Sequence, residues 1–86
     1  IMDVVFIFLD DQGIEFKINM ETVPRVGEGV ILSHLKREDF RSQEDYNRFK
    51  INGYEHREWI IEEISWFPQT EGSYVGILLV EVEAGS

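Results

Sequence analysis

The stretch "VVFIFLDDQGIEFKINME", Val4 to Glu21, decides the fold because it joins two β-prone runs through turn residues. The first run, Val4 to Leu9, is apolar throughout and rich in β-branched and aromatic side chains. The second run, Ile14 to Glu21, alternates apolar and polar residues with a period of two, as a strand with one buried face does. Because the intervening Asp-Asp-Gln-Gly is typical of a turn, the stretch predicts a β-hairpin.

The register of this hairpin predicts which face of its first strand lies in the core. The cross-strand pairs that we predict to form the core face are Leu9 with Ile14, Ile7 with Phe16 and Val5 with Ile18. Phe6 and Phe8 then lie on the other face, which the hairpin itself leaves uncovered. Three coverings stay open for them: the aromatic residues of a later insertion, a second copy of the chain, or another protein. The aromatic residues of that insertion are Phe40, Tyr46 and Phe49.

The next segment, "VPRVGEGVIL" from Val23 to Leu32, combines a proline with two glycines. A phosphate-binding loop would continue with Gly-Lys-Ser/Thr and a helix, whereas this segment continues as another β-prone run. Pro24 cannot donate to a strand ladder, and Gly27 and Gly29 permit the positive φ that a tight corner requires. The segment therefore predicts a corner between strands.

The segment from Lys36 to Lys50 is mostly charged and reads as an insertion between strands. Ser42 followed by Asp45 resembles a helix-capping pair, which predicts a short helix over Gln43 to Phe49. The Asn52-Gly53 dipeptide that follows predicts a type I′ turn joining two more strands.

The last third of the chain predicts an antiparallel pair of strands. In "WIIEEISWF" the apolar phase shifts at Glu62-Glu63, which predicts a β-bulge there. The predicted pairs are Phe67 with Tyr74, Trp66 with Val75 and Ser65 with Gly76. We expect Trp66 and Tyr74 to pack in the core, and a small aromatic cage lined by the two rings stays open as the alternative. The residues predicted to be buried together are Phe16, Ile18, Ile61, Ile64, Leu78 and Val80.

The segments "VPRVGEGVIL", "WIIEEISWFP" and "YVGILLVEVE" together resemble small SH3-like barrel proteins of bacteria and phages. The resemblance implies an all-β fold, namely a single-domain barrel of five or six strands spanning residues 1–86. Residues 36–50 would form an insertion with one short helix. Because the shared pattern consists of glycines and aliphatic residues, it transfers no catalytic residue.

The distribution of charge indicates the kind of partner. The formal net charge is −9, and residues 58–86 contain six acidic residues and no basic one. Since such a chain repels polyanions, we expect a protein partner with a basic surface, such as the nucleic-acid channel of a defence nuclease that phage-encoded inhibitors occupy. The carboxylates predicted to bind it are Asp10, Asp11, Glu62, Glu63, Glu71, Glu81 and Glu83. Phe6 and Phe8 would be the apolar half of that surface if nothing else covers them.

The alternative function is weak nucleic-acid binding through residues 36–57, where aromatic and basic side chains alternate along the chain. Acidic residues nearly cancel the charge of that segment, so direct nucleic-acid binding is the weaker hypothesis. His34 and His56 lack the short spacing of a metal chelate, the chain has no cysteine, and no serine lies in a Gly-x-Ser-x-Gly motif. We therefore predict a non-enzymatic, cytoplasmic protein without cofactor, metal or membrane span, for which a homodimer stays open.

Overall fold

A computed structural model describes residues 2–68 and 72–82, and its strands form one curled five-stranded β-sheet. The strands are β1 (Met2–Phe8), β2 (Asp11–Met20), β3 (Gly29–Val30), β4 (Trp59–Phe67) and β5 (Tyr74–Glu81). One α-helix, α1 (Gln43–Ile51), lies between β3 and β4 and is flanked by the 3₁₀ turns Arg37–Asp39 and Tyr54–His56. The strand order is β2-β1-β5-β4-β3, in which β1 and β5 are parallel and the other neighbours antiparallel. The chain is thus mostly β, as predicted, and its sheet is a half-barrel.

The hairpin of β1 and β2 forms as predicted, but its register differs from the prediction by one residue. Phe6 pairs with Phe16 and Val4 with Ile18, and an irregularity follows Ile7. Because side chains alternate along a strand, this shift turns the two phenylalanines of β1 into the core and Val5 and Ile7 out of it. Both faces of β1 are apolar, so the side chains that pack against each face determine which one is buried.

The buried face of β1 is the one that α1 and the neighbouring segments cover with aromatic rings. We call this side of the sheet the inner face. Phe8 contacts Phe49 of α1 at 6.4 Å and Trp59 of β4 at 4.7 Å between ring centroids. Phe6 stacks on Phe16 at 4.8 Å. The remaining rings of this cluster are Phe40, Tyr46 and Tyr54. The insertion therefore covers Phe8 directly through Phe49, as the first of the three predicted coverings requires. Phe6 is buried against Phe16 of β2, whose ring contacts Phe40 of the insertion.

The pairing of β4 with β5 confirms the predicted register and bulge. Phe67 lies opposite Tyr74, and the register shifts between Ile61 and Glu63. The predicted core is correct only in part. Phe16 and Ile61 are buried, and Ile18 and Ile64 pack half-buried against the core. Leu78 and Val80 were assigned to the wrong face, because β5 is apolar on both sides and buries Ile77 and Leu79 instead.

The predicted corner is present at Arg25 to Glu28, where the Glu28 N–H donates to the Arg25 carbonyl at 3.1 Å. Gly27 has φ +90°, which only glycine adopts without strain. Its N–H donates to the Ile61 carbonyl at 2.8 Å, and the Ile61 N–H donates to the Glu28 carbonyl at 3.0 Å. The corner thus attaches this loop to β4 at the point where the bulge begins.

The helix begins as predicted and ends two residues later. The Ser42 hydroxyl accepts a hydrogen bond from the Asp45 N–H at 3.2 Å and so caps α1. The hairpin predicted at Asn52-Gly53 is wrong. The Asn52 N–H donates to the Arg48 carbonyl at 3.1 Å, and Gly53 (φ +66°) follows, so the dipeptide ends the helix.

Candidate partner-binding surface

The outer face of the sheet is apolar along its two central strands. Directly paired residues share a face, so the pairs Val5 with Gly76, Ile7 with Leu78 and Ile60 with Val80 all lie on the side opposite the aromatic cluster. We call the half-buried side chains of Val5, Ile7, Ile60, Leu78 and Val80 the outer patch. Val82, which directly follows β5, is 37% exposed. An antiparallel sheet with one solvated face ordinarily alternates apolar with polar residues, so this patch departs from the usual pattern.

A stacked pair of aromatic rings lies at one end of the outer patch. The rings of Phe67 and Tyr74 are 4.8 Å apart and nearly parallel. Phe67 lies over Gly76, where a Cβ atom would come within 2.7 Å of the ring, so the stack depends on glycine at this position. A shallow cavity of about 380 Å³ extends from the two rings over Val5 and Ile7. The stack thus forms a wall at the end of the patch.

Trp66 pairs with buried Val75, so its side chain lies on the other side of the sheet from this stack, where it is 65% exposed. The prediction that it packs in the core is wrong, because β4 extends beyond the two residues of β3 and the sheet does not close over its second half. A second cavity of about 290 Å³ is lined mainly by Met2, Trp66, Pro68 and Val75. The two cavities share Phe67 and Tyr74, so the ring stack lies between them, and the first cavity is also lined by the charged residues Asp3, Glu15 and Lys17. Exposed tryptophan and tyrosine are enriched among residues that dominate binding energy at protein interfaces.

The predicted binding residues do not form one cluster. Phe6 and Phe8 are only 4% and 1% exposed, so the hypothesis that they belong to a binding surface is wrong for the folded chain. Asp10 and Asp11 lie at the turn between β1 and β2, at the other end of β1 from the ring stack. Glu71 and Glu83 lie outside the described residues.

Ion pairs separate the remaining predicted carboxylates into two groups. Asp11 accepts from Arg48 at 2.8 Å, and Glu81 accepts from Arg57 at 3.1 Å. Within residues 2–68 and 72–82, Asp10, Glu62 and Glu63 have no such partner. Glu63 pairs with Leu78 in the strand ladder and therefore borders the outer patch. Glu62 and Glu63 lie on a bulged stretch of β4 beyond β3, where charge discourages edge-to-edge pairing of sheets.

The cations of the insertion are mostly engaged within the fold. Arg41 binds the buried carboxylate of Asp45 at 3.0 Å, which raises the pKa of the guanidinium. Lys50 donates to Glu55 at 2.7 Å, which raises the pKa of the lysine and lowers that of the glutamate. Phe40 and Phe49 of the same segment are buried. Neither the charges nor these rings form the exposed stacking surface that single-stranded nucleic acid requires.

No cluster of three or more potential metal ligands occurs among the described residues. In the same part of the chain, no helix is long and apolar enough to cross a membrane. The histidines contribute no common site, since His34 lies in the loop after β3 and His56 in the 3₁₀ turn before β4.

Comparisons with protein-family models, with curated proteins and with solved structures find no match to this chain. The surface has therefore to be interpreted from its own chemistry. The outer patch was not predicted from the sequence, although the sequence contains a signal for it. The run Gly76 to Val80 is apolar at consecutive positions, and such a run is typical of a strand covered on both faces.

Proposed function

We propose that this chain is a non-enzymatic protein-binding module whose partner presents a surface that is both apolar and basic. The observation that carries the proposal is the uncovered apolar surface formed by the outer patch and the Phe67–Tyr74 stack, with exposed Trp66 at the same end of the sheet on its other side. Burying that surface in a complex removes apolar area from water, at about 25 cal/mol per Å² before the cost of association.

The acidic residues indicate that the partner surface is basic. Glu62 and Glu63 are exposed next to the apolar surface and are not neutralised by any described cation. With a net charge of −9, the chain attracts a cationic protein and repels an anionic one over a distance set by the salt concentration. The sharper form of the proposal is that the partner is a nucleic-acid-handling protein whose basic groove the module occupies. The kinship with SH3-like barrels is part of the same proposal, supported by the glycine corner and the bulged β4.

The test is quantitative capture of proteins from a nuclease-treated bacterial lysate on the immobilised chain. Three variants are compared with the wild type: Trp66→Ala, Glu62→Gln with Glu63→Gln, and Ile51→Ser. Ile51 is 84% exposed on α1, away from the proposed surface, and serves as the control. We expect a partner that the wild type and the control retain, that both other variants lose, and whose capture falls as salt rises.

Two results would contradict the proposal. One is capture that is equal for all three variants, because the bound proteins would then not use this surface. The other is binding of single-stranded DNA at physiological salt that Arg41→Ala with Arg48→Ala abolishes, which would support the nucleic-acid alternative.

A further inference from the structure

The outer patch lies on the face of the sheet rather than at an edge, and this limits what can bind it. β1 and β5 are neighbours and lie between β2 and β4, so both edges of each strand are paired. A ligand on this face therefore contacts side chains and cannot extend the ladder as an added strand does. The ligand must bury apolar side chains of its own against the patch.

The dimensions of the patch fit one α-helix. In the row of the sheet that contains Ile7 and Leu78, Glu15 of β2 and Glu63 of β4 border the patch, and these two strands are three strand spacings apart, about 14 Å. A helix with its side chains is about 10–12 Å across. The apolar positions on the outer side of β5 continue from Gly76 to Val82, a length of about 20 Å, which is the length of a helix of about 13 residues. A second sheet is wider than this strip and would cover the charges on both borders.

The two borders differ in charge, which predicts the polarity of the bound helix. On the β2 side, Glu15 lies 3.8 Å from Arg41 and Lys17 lies 4.0 Å from Asp3, so both charges are compensated. On the β4 side, Glu63 has no cation near it among the described residues. A helix on this face is therefore stabilised by lysine or arginine along the flank that faces β4. A second copy of this acidic chain would not supply such a flank at low cost.

We propose that the outer patch binds one amphipathic α-helix of a partner protein, lying along β1 and β5 with its cationic flank towards Glu63. The inference rests on the proposed protein-binding function and specifies its ligand class. It also explains the parallel pairing of β1 and β5, because parallel strands are ordinarily covered on both faces. The helix α1 covers the inner face through Phe49, and the partner helix would cover the outer one.

The experiment uses two synthetic 14-residue peptides of identical composition, made of leucine, lysine and alanine. In the first peptide the leucines recur at helical spacing with lysines along one flank, and in the second they alternate with a period of two. Each is titrated into the isotopically labelled full chain and followed by amide chemical shifts. We expect the helical peptide to bind at least tenfold more tightly and to shift the amides of Val5, Ile7 and Leu78.

Variants separate specific docking from general charge attraction. Leu78→Lys should weaken the helical peptide at least tenfold, whereas Ile51→Lys, which adds the same charge on α1, should change its affinity less than twofold. Glu63→Gln should weaken binding severalfold and reduce its salt dependence. Equal weakening by the two lysine variants would show charge attraction only, and would overturn the inference.

Three further results would overturn it. Tighter binding of the period-two peptide, with shifts at a strand edge, would replace helix docking by strand addition and leave the protein-binding function intact. Self-association of the chain that Leu78→Lys abolishes would show that the patch is a dimer interface. If neither peptide binds while capture in the lysate experiment still depends on Trp66, the proposed helix docking is refuted and the proposed protein-binding function is not.

Discussion

Replacing Asp45 by alanine is the sharpest test of how the helix is attached to the sheet. Asp45 is only 4% exposed, and its carboxylate lies between α1 and β2. It accepts hydrogen bonds from the Glu15 N–H at 3.1 Å and from the Ser42 hydroxyl at 3.0 Å. It also pairs with Arg41 at 3.0 Å. One side chain thus fixes the start of the helix to the strand that carries Phe16.

The cost of Asp45→Ala follows from these three contacts. Hydrogen bonds to a charged acceptor contribute about 1.5–3 kcal/mol each where they are buried, and loss of the carboxylate leaves the Glu15 N–H without its partner. The Arg41 side chain is 51% exposed, so its ion pair adds less than about 1 kcal/mol. Since Ser42 keeps its own bond to the backbone N–H of residue 45, the helix cap itself survives. We expect a loss of about 2–4 kcal/mol in the free energy of unfolding.

Urea denaturation followed by tryptophan fluorescence measures this loss, because Trp59 is buried in the core. Asp45→Asn keeps one oxygen acceptor and should lose about half as much, while Glu44→Ala, at the exposed neighbouring position, should lose less than about 1 kcal/mol. Hydrogen exchange of the Glu15 amide should accelerate in Asp45→Ala. A loss no larger than that of Glu44→Ala would refute the assignment of Asp45 as the link between α1 and β2.

Three further predictions concern the core, the ring stack and the charged surface. Phe8→Ala should lower the free energy of unfolding by about 3–5 kcal/mol in chemical denaturation, because it removes a ring that four others contact; an unchanged stability would place Phe8 outside the core. Gly76→Ala should displace the Phe67 ring and cost about 1 kcal/mol, with loss of near-ultraviolet circular dichroism; a retained signal would show that the ring tolerates a methyl group beneath it. Lys50 lowers the pKa of Glu55, so this pair stabilises the fold above the ordinary glutamate pKa of about 4.3 and ceases to do so as pH falls below it. The stability difference between wild type and Glu55→Gln should accordingly shrink in acid, and a difference independent of pH would contradict the pairing.

Two local signals in the sequence predicted features of the fold correctly. The bulge at Glu62-Glu63 follows from the phase of the apolar residues on either side, and the start of α1 follows from Ser42 and Asp45. Each of these features is determined within about ten residues of chain. The hairpin prediction at Asn52-Gly53 failed because a glycine with positive φ occurs both at helix ends and in hairpin turns. The dipeptide alone does not show that the preceding helix extends as far as Ile51.

The errors in the core have a different physical cause. β1 and β5 are apolar on both faces, so their periodicity is silent about which face is buried. The inner face is chosen by contacts distant in sequence, chiefly Phe49 on Phe8 and Ile77 beside Phe6. The same ambiguity concealed the outer patch, because Val5, Ile7, Leu78 and Val80 were predicted to lie in the core.

The apolar side chains on both faces of β1 and β5 also support the proposal that a partner molecule covers the outer face of the sheet. Within residues 2–68 and 72–82, one helix covers one face of the sheet, yet β1 and β5 carry apolar side chains for both. Replacing Val5, Ile7, Leu78 and Val80 with polar residues would leave the inner core unchanged and give the sheet a polar outer face. A sheet that only needed to fold would therefore tolerate them, whereas a sheet that must bind a second layer requires the apolar residues found here. Variants carrying threonine at Leu78 and Val80 should consequently keep their stability within about 1 kcal/mol while losing the partner.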